Sequence, residues 1–138
     1  MANQRYFLGR QAGNSALGVL TILIMVGFFV MCVIRMAPPY FESLTVKSII
    51  ESIVDDPDSP NYSTSQIRRR IETEFNTNQI LEIEGKDVEV YRKKGETYVD
   101  ASYEVRVPLF WRIDAVMKFD DLHYALGNLE PQAPRTRD

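Results

Sequence analysis

"LGVLTILIMVGFFVMCVI", residues 17–34, decides how the rest of the chain is read. These 18 consecutive residues carry no charge, and Gly18, Thr21 and Gly27 are interruptions that helices in bilayers tolerate. As a helix the run is about 27 Å long, close to the hydrocarbon thickness of a membrane. Twelve of the 18 are Leu, Ile, Val or Phe. Together they favour insertion by roughly 4 to 7 kcal/mol. A buried core helix would have to hide apolar side chains on every face, and about 100 further residues could hardly cover them. The run is therefore expected to be a transmembrane helix, with residues 16–36 as its bounds.

The flanks give an orientation. The first 41 residues hold no acidic side chain, and all 19 Asp and Glu fall from Glu42 onward. Arg5, Arg10 and Arg35 precede position 37, which leaves 13 basic against 19 acidic residues, a net charge of −6, on the remainder. Two arginines before the span and one close behind it predict a cytoplasmic N-terminus, residues 1–15. The rest then faces the periplasm of a bacterial inner membrane. Its acidic balance argues against nucleic acid as a partner. The single cysteine, Cys32, excludes an intrachain disulfide.

A secretory signal and a type IV prepilin are two other fates open to such a segment. The apolar run is longer than the usual 7 to 15 or so residues of a secretory signal, and in "RMAPPY" two prolines would directly follow the cut. A type IV prepilin is cut earlier, after a glycine that ends a basic leader, and Gly13 stands at that place. The new first residue would be Asn14, where pilins usually have Phe. The fifth would be Gly18, where pilins carry a glutamate that pairs with a terminal amine. Without that acid a freed amine would be buried unpaired. A retained anchor is the expectation, and cleavage between Gly13 and Asn14 is the alternative.

Beyond the span, Pro38 and Pro39 can open or kink a helix but do not continue one smoothly. Val46, Ile49, Ile50, Ile53 and Val54 then recur at helical spacing, which predicts an amphipathic helix packed on the domain's own sheet. "DDPDSPNY" reads as a loop. Ser63 and Gln66 form a capping box for a second helix, with Ile67, Ile71 and Phe75 as its apolar seam and "NTN" at 76–78 as its exit.

From residue 80 the period becomes two. "RKKGET" supplies a turn, and Val99, Ala101, Tyr103, Val105 and Val107 alternate with polar neighbours as one strand that Pro108 ends. Ile113, Ala115, Met117 and Phe119 mark another. The fold class is α+β: a transmembrane helix continuing into an amphipathic helix, a second short helix, then a three- or four-stranded antiparallel sheet, in pilin-like order. The outer domain is assigned to 37–127, and 128–138 reads as a flexible tail.

No catalytic constellation emerges, so no catalytic residue and no cofactor is assigned. His123 is the single histidine, and Asp120, Asp121 and His123 read as a solvated strand end and not as a metal site. The cluster Arg68, Arg69 and Arg70 reads as a solvated helix turn balanced by Glu72 and Glu74. Contact with lipid headgroups or an acidic partner is its functional alternative. Trp111, beside Phe110 in "PLFWRI", is placed in the core, with an exposed aromatic partner anchor as the alternative.

"LTILIMVGFFVMCVIRMAPPYFESLTVKSIIESI", "SQIRRRIETEF" and "YEVRVPLFWRIDAVMKFD" resemble a proteobacterial domain-of-unknown-function family (family 4845) of small single-pass membrane proteins with a pilin-like N-terminal segment. The resemblance spans roughly residues 11–120. It implies an anchored domain set in protein export or envelope biogenesis, with signal peptidase I or the export machinery as a partner. The expected function is a non-enzymatic accessory or scaffold subunit. It would touch another membrane protein, or further copies of itself, through Phe110, Trp111 and Arg68–Arg70.

Overall fold

The structure, a computed structural model, describes residues 16–133. Gly13, Asn14 and the arginines at 5 and 10 lie outside the described residues.

α1 is a single helix, Ala16–Val54, of 39 residues, about 58 Å long. Its first half meets nothing that would bury it: the apolar side chains from Leu17 to Val30 are exposed on all faces. This stretch is long and apolar enough to cross a membrane. Thr21 donates its hydroxyl to the Leu17 carbonyl at 2.8 Å, so its one polar group is satisfied within the helix. The second half has one buried stripe, Pro39, Ser43, Val46, Ile49, Ile50, Ile53 and Val54, at the predicted spacing.

The helix continues through Pro38 and Pro39 into its amphipathic half, although neither proline has an N–H group to donate. The domain grips α1 on both sides of the prolines. Below them Arg35 donates from Nη1 to the Pro108 carbonyl at 2.6 Å, and above them Pro39, Ser43 and Val46 are buried. The helix runs on through the prolines with the bonds to the Ile34 and Arg35 carbonyls forgone.

α2 is Thr64–Thr77. The Ser63 hydroxyl accepts from the Gln66 N–H, and the Gln66 side chain accepts from the Ser63 N–H, so the predicted capping box is present in both directions. Ile67, Ile71 and Phe75 are buried, and Asn78 caps the exit.

Among the described residues five strands follow: β1 Glu89–Lys93, β2 Glu96–Asp100, β3 Tyr103–Phe110, β4 Ile113–Phe119 and β5 His123–Ala125. The α+β class holds, with an antiparallel sheet after two helices. The strands divide into two ladders, β1-β2-β5 and β3-β4. Lys94 and Gly95, at φ 53° and 86°, make the β1–β2 turn with two left-handed residues, as a two-residue hairpin requires.

The alternation from Val99 to Val107 spans two strands, not one. At the break the Asp100 carboxylate accepts from the Ser102 N–H at 3.0 Å, and the Ala101 N–H turns to the Leu122 carbonyl. This bends the chain out of one sheet and into the other. Pro108 does not end β3; it stands opposite Asp114 with a register shift before Phe110. Its carbonyl faces Arg35 of α1, so its nitrogen also faces away from β4 and no ladder donor is missed.

The core joins the α1 stripe, the α2 seam, Val88, Val90, Val99, Leu122 and Tyr124. Tyr124, the largest fully buried side chain, donates to Glu51 Oε1 at 3.1 Å. Burial, and then this bond, push the phenol up to about 12 from its ordinary value near 10. A raised phenol stabilises the fold fully below the unfolded value of 10, and that contribution is lost as pH climbs toward 12. Denaturant titrations across that window should show Tyr124→Phe losing less stability than the parent chain. Identical slopes would exclude Tyr124 as a source of alkaline unfolding.

Candidate membrane-proximal surface

The contacts along α1 give the sheet a direction. Arg35 reaches Pro108, Lys47 pairs with Asp121 at 3.4 Å, Glu51 meets Tyr124, and the Val54 carbonyl accepts from Gly127. β3 therefore descends beside α1 toward the exposed apolar run, and β4 climbs back. The turn of this hairpin is the lowest part of the domain.

That turn is made by Trp111 and Arg112 between the paired residues Phe110 and Ile113. Trp111 is 90% exposed, Phe110 59% and Ile113 62%. The core placement of Trp111 is thus overturned. A residue at the outer end of a two-residue turn has no layer above it to pack against. Trp111 also lies at φ 47°, a left-handed conformation that a bulky side chain adopts at a cost of about 1–3 kcal/mol.

Between hairpin and helix runs an open apolar groove of about 380 Å³, lined by Phe29, Val33, Met36, Tyr40 and Phe41 of α1 and by Met117 of β4. Cys32 also faces it. The sequence reading missed Arg35, Ile113 and Met117 here. Their common place depends on the descent of β3, which no local pattern announces.

The arginine cluster lies elsewhere. Arg70 is half-buried and pairs with Asp56, just past the far end of α1. Backbone donation from Asp58, and then Arg70, hold the Asp56 carboxyl below its ordinary value. Arg70 is thus a structural partner and not one of three solvated charges, whereas Arg68 and Arg69 are exposed. About 20 residues of α1 separate Asp56 from Arg35, roughly 30 Å along the axis. The structure does not bring Arg68–Arg70 and Trp111 into one contact surface.

The reading of His123 as solvated also fails. It is buried in β5, with Nε2 at 2.9 Å from the Tyr91 hydroxyl and Nδ1 at 2.9 Å from the Ala133 carbonyl. The Gln132 N–H donates to its carbonyl at 2.7 Å, so the chain after β5 lies along that strand. Asp121, by contrast, is exposed beside Lys47. Among the described residues no group of three or more His, Cys, Asp and Glu is placed to hold a metal.

Residues 35–119 match the family described as a domain of unknown function, DUF4845. The chain belongs to that family. The matched stretch begins at Arg35, the residue that ties α1 to the hairpin, and ends with β4 at Phe119. It thus takes in the domain half of α1, α2 and the whole β3–β4 hairpin. No curated protein and no solved structure matches the chain.

Proposed function

We propose that the chain is a single-pass protein of a bacterial inner membrane, with its N-terminus in the cytoplasm and its α+β domain in the periplasm. It acts by binding, as an accessory or scaffold subunit of another membrane protein in export or envelope biogenesis. Signal peptidase I and the export machinery are the partners to test. The observation that carries this reading is α1: one helix supplies both the exposed apolar run and the core stripe of the domain. A domain built on its own anchor is held at a set height and orientation above the bilayer, which suits a docking subunit.

The partner contact is the exposed pair Arg68 and Arg69 on α2, whose charge can meet acidic side chains. Purification from native membranes in mild detergent should recover a stoichiometric heteromeric partner. The double variant Arg68→Glu/Arg69→Glu should lose that partner while keeping the helical content of the parent. Recovery of the chain alone from native membranes would sink the scaffold reading.

A second reading is a minor pilin-like subunit released by cleavage after Gly13 and assembled through its helix. It is favoured by the order of α1, exposed in its first half and packed on an antiparallel sheet in its second. Intact mass and N-terminal sequencing separate the two. A chain starting at Met1 supports the anchor, and one starting at Asn14 supports the pilin-like subunit.

A further inference from the structure

We propose that the β3–β4 hairpin is a second membrane contact. In this arrangement Phe110, Trp111 and Ile113 seat in the headgroup–acyl boundary of the leaflet where the apolar run of α1 ends. The inference rests on α1 spanning the bilayer.

Height is the first argument. Side chains on a helix lean toward its N-terminus, so a carbonyl bonded by Arg35 lies level with or below the Arg35 Cα. Pro108 therefore stands at the end of the uncharged run, which closes at Ile34. Two further residues of strand carry Phe110 roughly 7 Å lower, alongside the last apolar turns of α1. Met117 of β4, opposite Val105 farther up the hairpin, lines the groove with α1, so the hairpin runs beside this part of the helix.

Chemistry is the second. The tip carries the exposed apolar side chains of Phe110, Trp111 and Ile113, together with the exposed Arg112. Trp is the residue that best suits the boundary, with an apolar ring and one N–H donor for water or ester oxygens. Near the tip stand Arg35 and Arg112, against Asp114. Glu104, farther up β3, is already paired with Lys118 at 3.0 Å. That leaves an excess of guanidinium groups where lipid phosphates lie. Met117 of the hairpin also lines one apolar groove with Phe29 and Val33 of α1, so apolar surface joins the two elements.

Third, Trp111 occupies a turn position that favours glycine. A strained, fully exposed tryptophan does not serve the fold of the domain itself. Insertion gives that side chain a place.

Trp111 is the only tryptophan in the chain, so its fluorescence reports on the tip alone. The full chain would be reconstituted in phosphatidylethanolamine–phosphatidylglycerol vesicles containing lipids brominated either near the headgroup or near the acyl end. The expected result is blue-shifted emission, quenched more strongly by the shallow bromines than by the deep ones, with weak quenching by aqueous iodide. Phe110→Ala/Ile113→Ala should reduce the bromine quenching while leaving the circular dichroism of the domain unchanged. Strong iodide quenching in a chain that resists alkaline carbonate extraction would overturn the hairpin contact and leave the anchor standing. Emission shielded from both iodide and bromine would place Trp111 against protein, and the lipid contact would again be wrong. Release by carbonate would remove the anchor and the inference together.

Discussion

Ile50→Ala is expected to lower the unfolding free energy of the domain by about 2–5 kcal/mol, whereas Leu23→Ala in the same helix should change it by less than about 0.5 kcal/mol. Ile50 has no exposed surface, and it lies within the cluster of α1, α2 and strand side chains that forms the core. Truncation removes its transfer free energy and leaves a cavity that close-packed neighbours fill only in part. Leu23 is 63% exposed and touches no domain side chain that would bury it. Denaturant unfolding of the two variants in one detergent, followed by near-ultraviolet circular dichroism, makes the comparison. Equal losses would mean that the halves of α1 do not have the separate roles given to them.

Gly85→Ala should be the other severe change, a loss of about 1–3 kcal/mol from forced overpacking. Gly85 is buried in a 3-10 turn, Gly85–Asp87, pressed against α2. A Cβ there would lie 2.7 Å from the Glu72 Cβ and 2.8 Å from its Cα. The Cα belongs to the helix backbone and cannot swing aside, so the turn or α2 must move. Gly27→Ala is the matching control, because nothing lies within 4 Å of the added methyl. Gly95→Ala tests a different cause: its space is open, but φ is +86°. Thermal unfolding of the three should rank Gly85→Ala lowest and Gly27→Ala beside the parent. If Gly85→Ala melts with Gly27→Ala, the close approach of turn and helix is wrong.

The elements legible in the sequence are those whose cause is local. The Ser63–Gln66 box, the seam Ile67–Ile71–Phe75 and the stripe from Val46 to Val54 each follow from spacing within a few residues. The Lys94–Gly95 turn is of the same kind. Failures occurred where a distant partner decides. The burial of His123 depends on Tyr91 and Ala133, and the separate role of Arg70 depends on Asp56. The hairpin tip was half visible: Phe110 and Trp111 stood out as residues, but their place beside α1 was set by a bond between Arg35 and Pro108, 73 positions apart.

By itself, then, the sequence determined the α+β class, the uncharged run from Leu17 to Ile34, and which face of each helix and strand is apolar. Periodicity and turn chemistry are short-range properties, so they survive without knowledge of the fold. Only the tertiary structure decided that α1 passes unbroken through Pro38 and Pro39, that the alternation from Val99 to Val107 serves two ladders, and that Trp111 ends outside the core. The physical reason is the same in each case. A bend at Ala101–Ser102 leaves the in–out alternation intact on both sides, and a proline or a tryptophan is placed by what packs beside it.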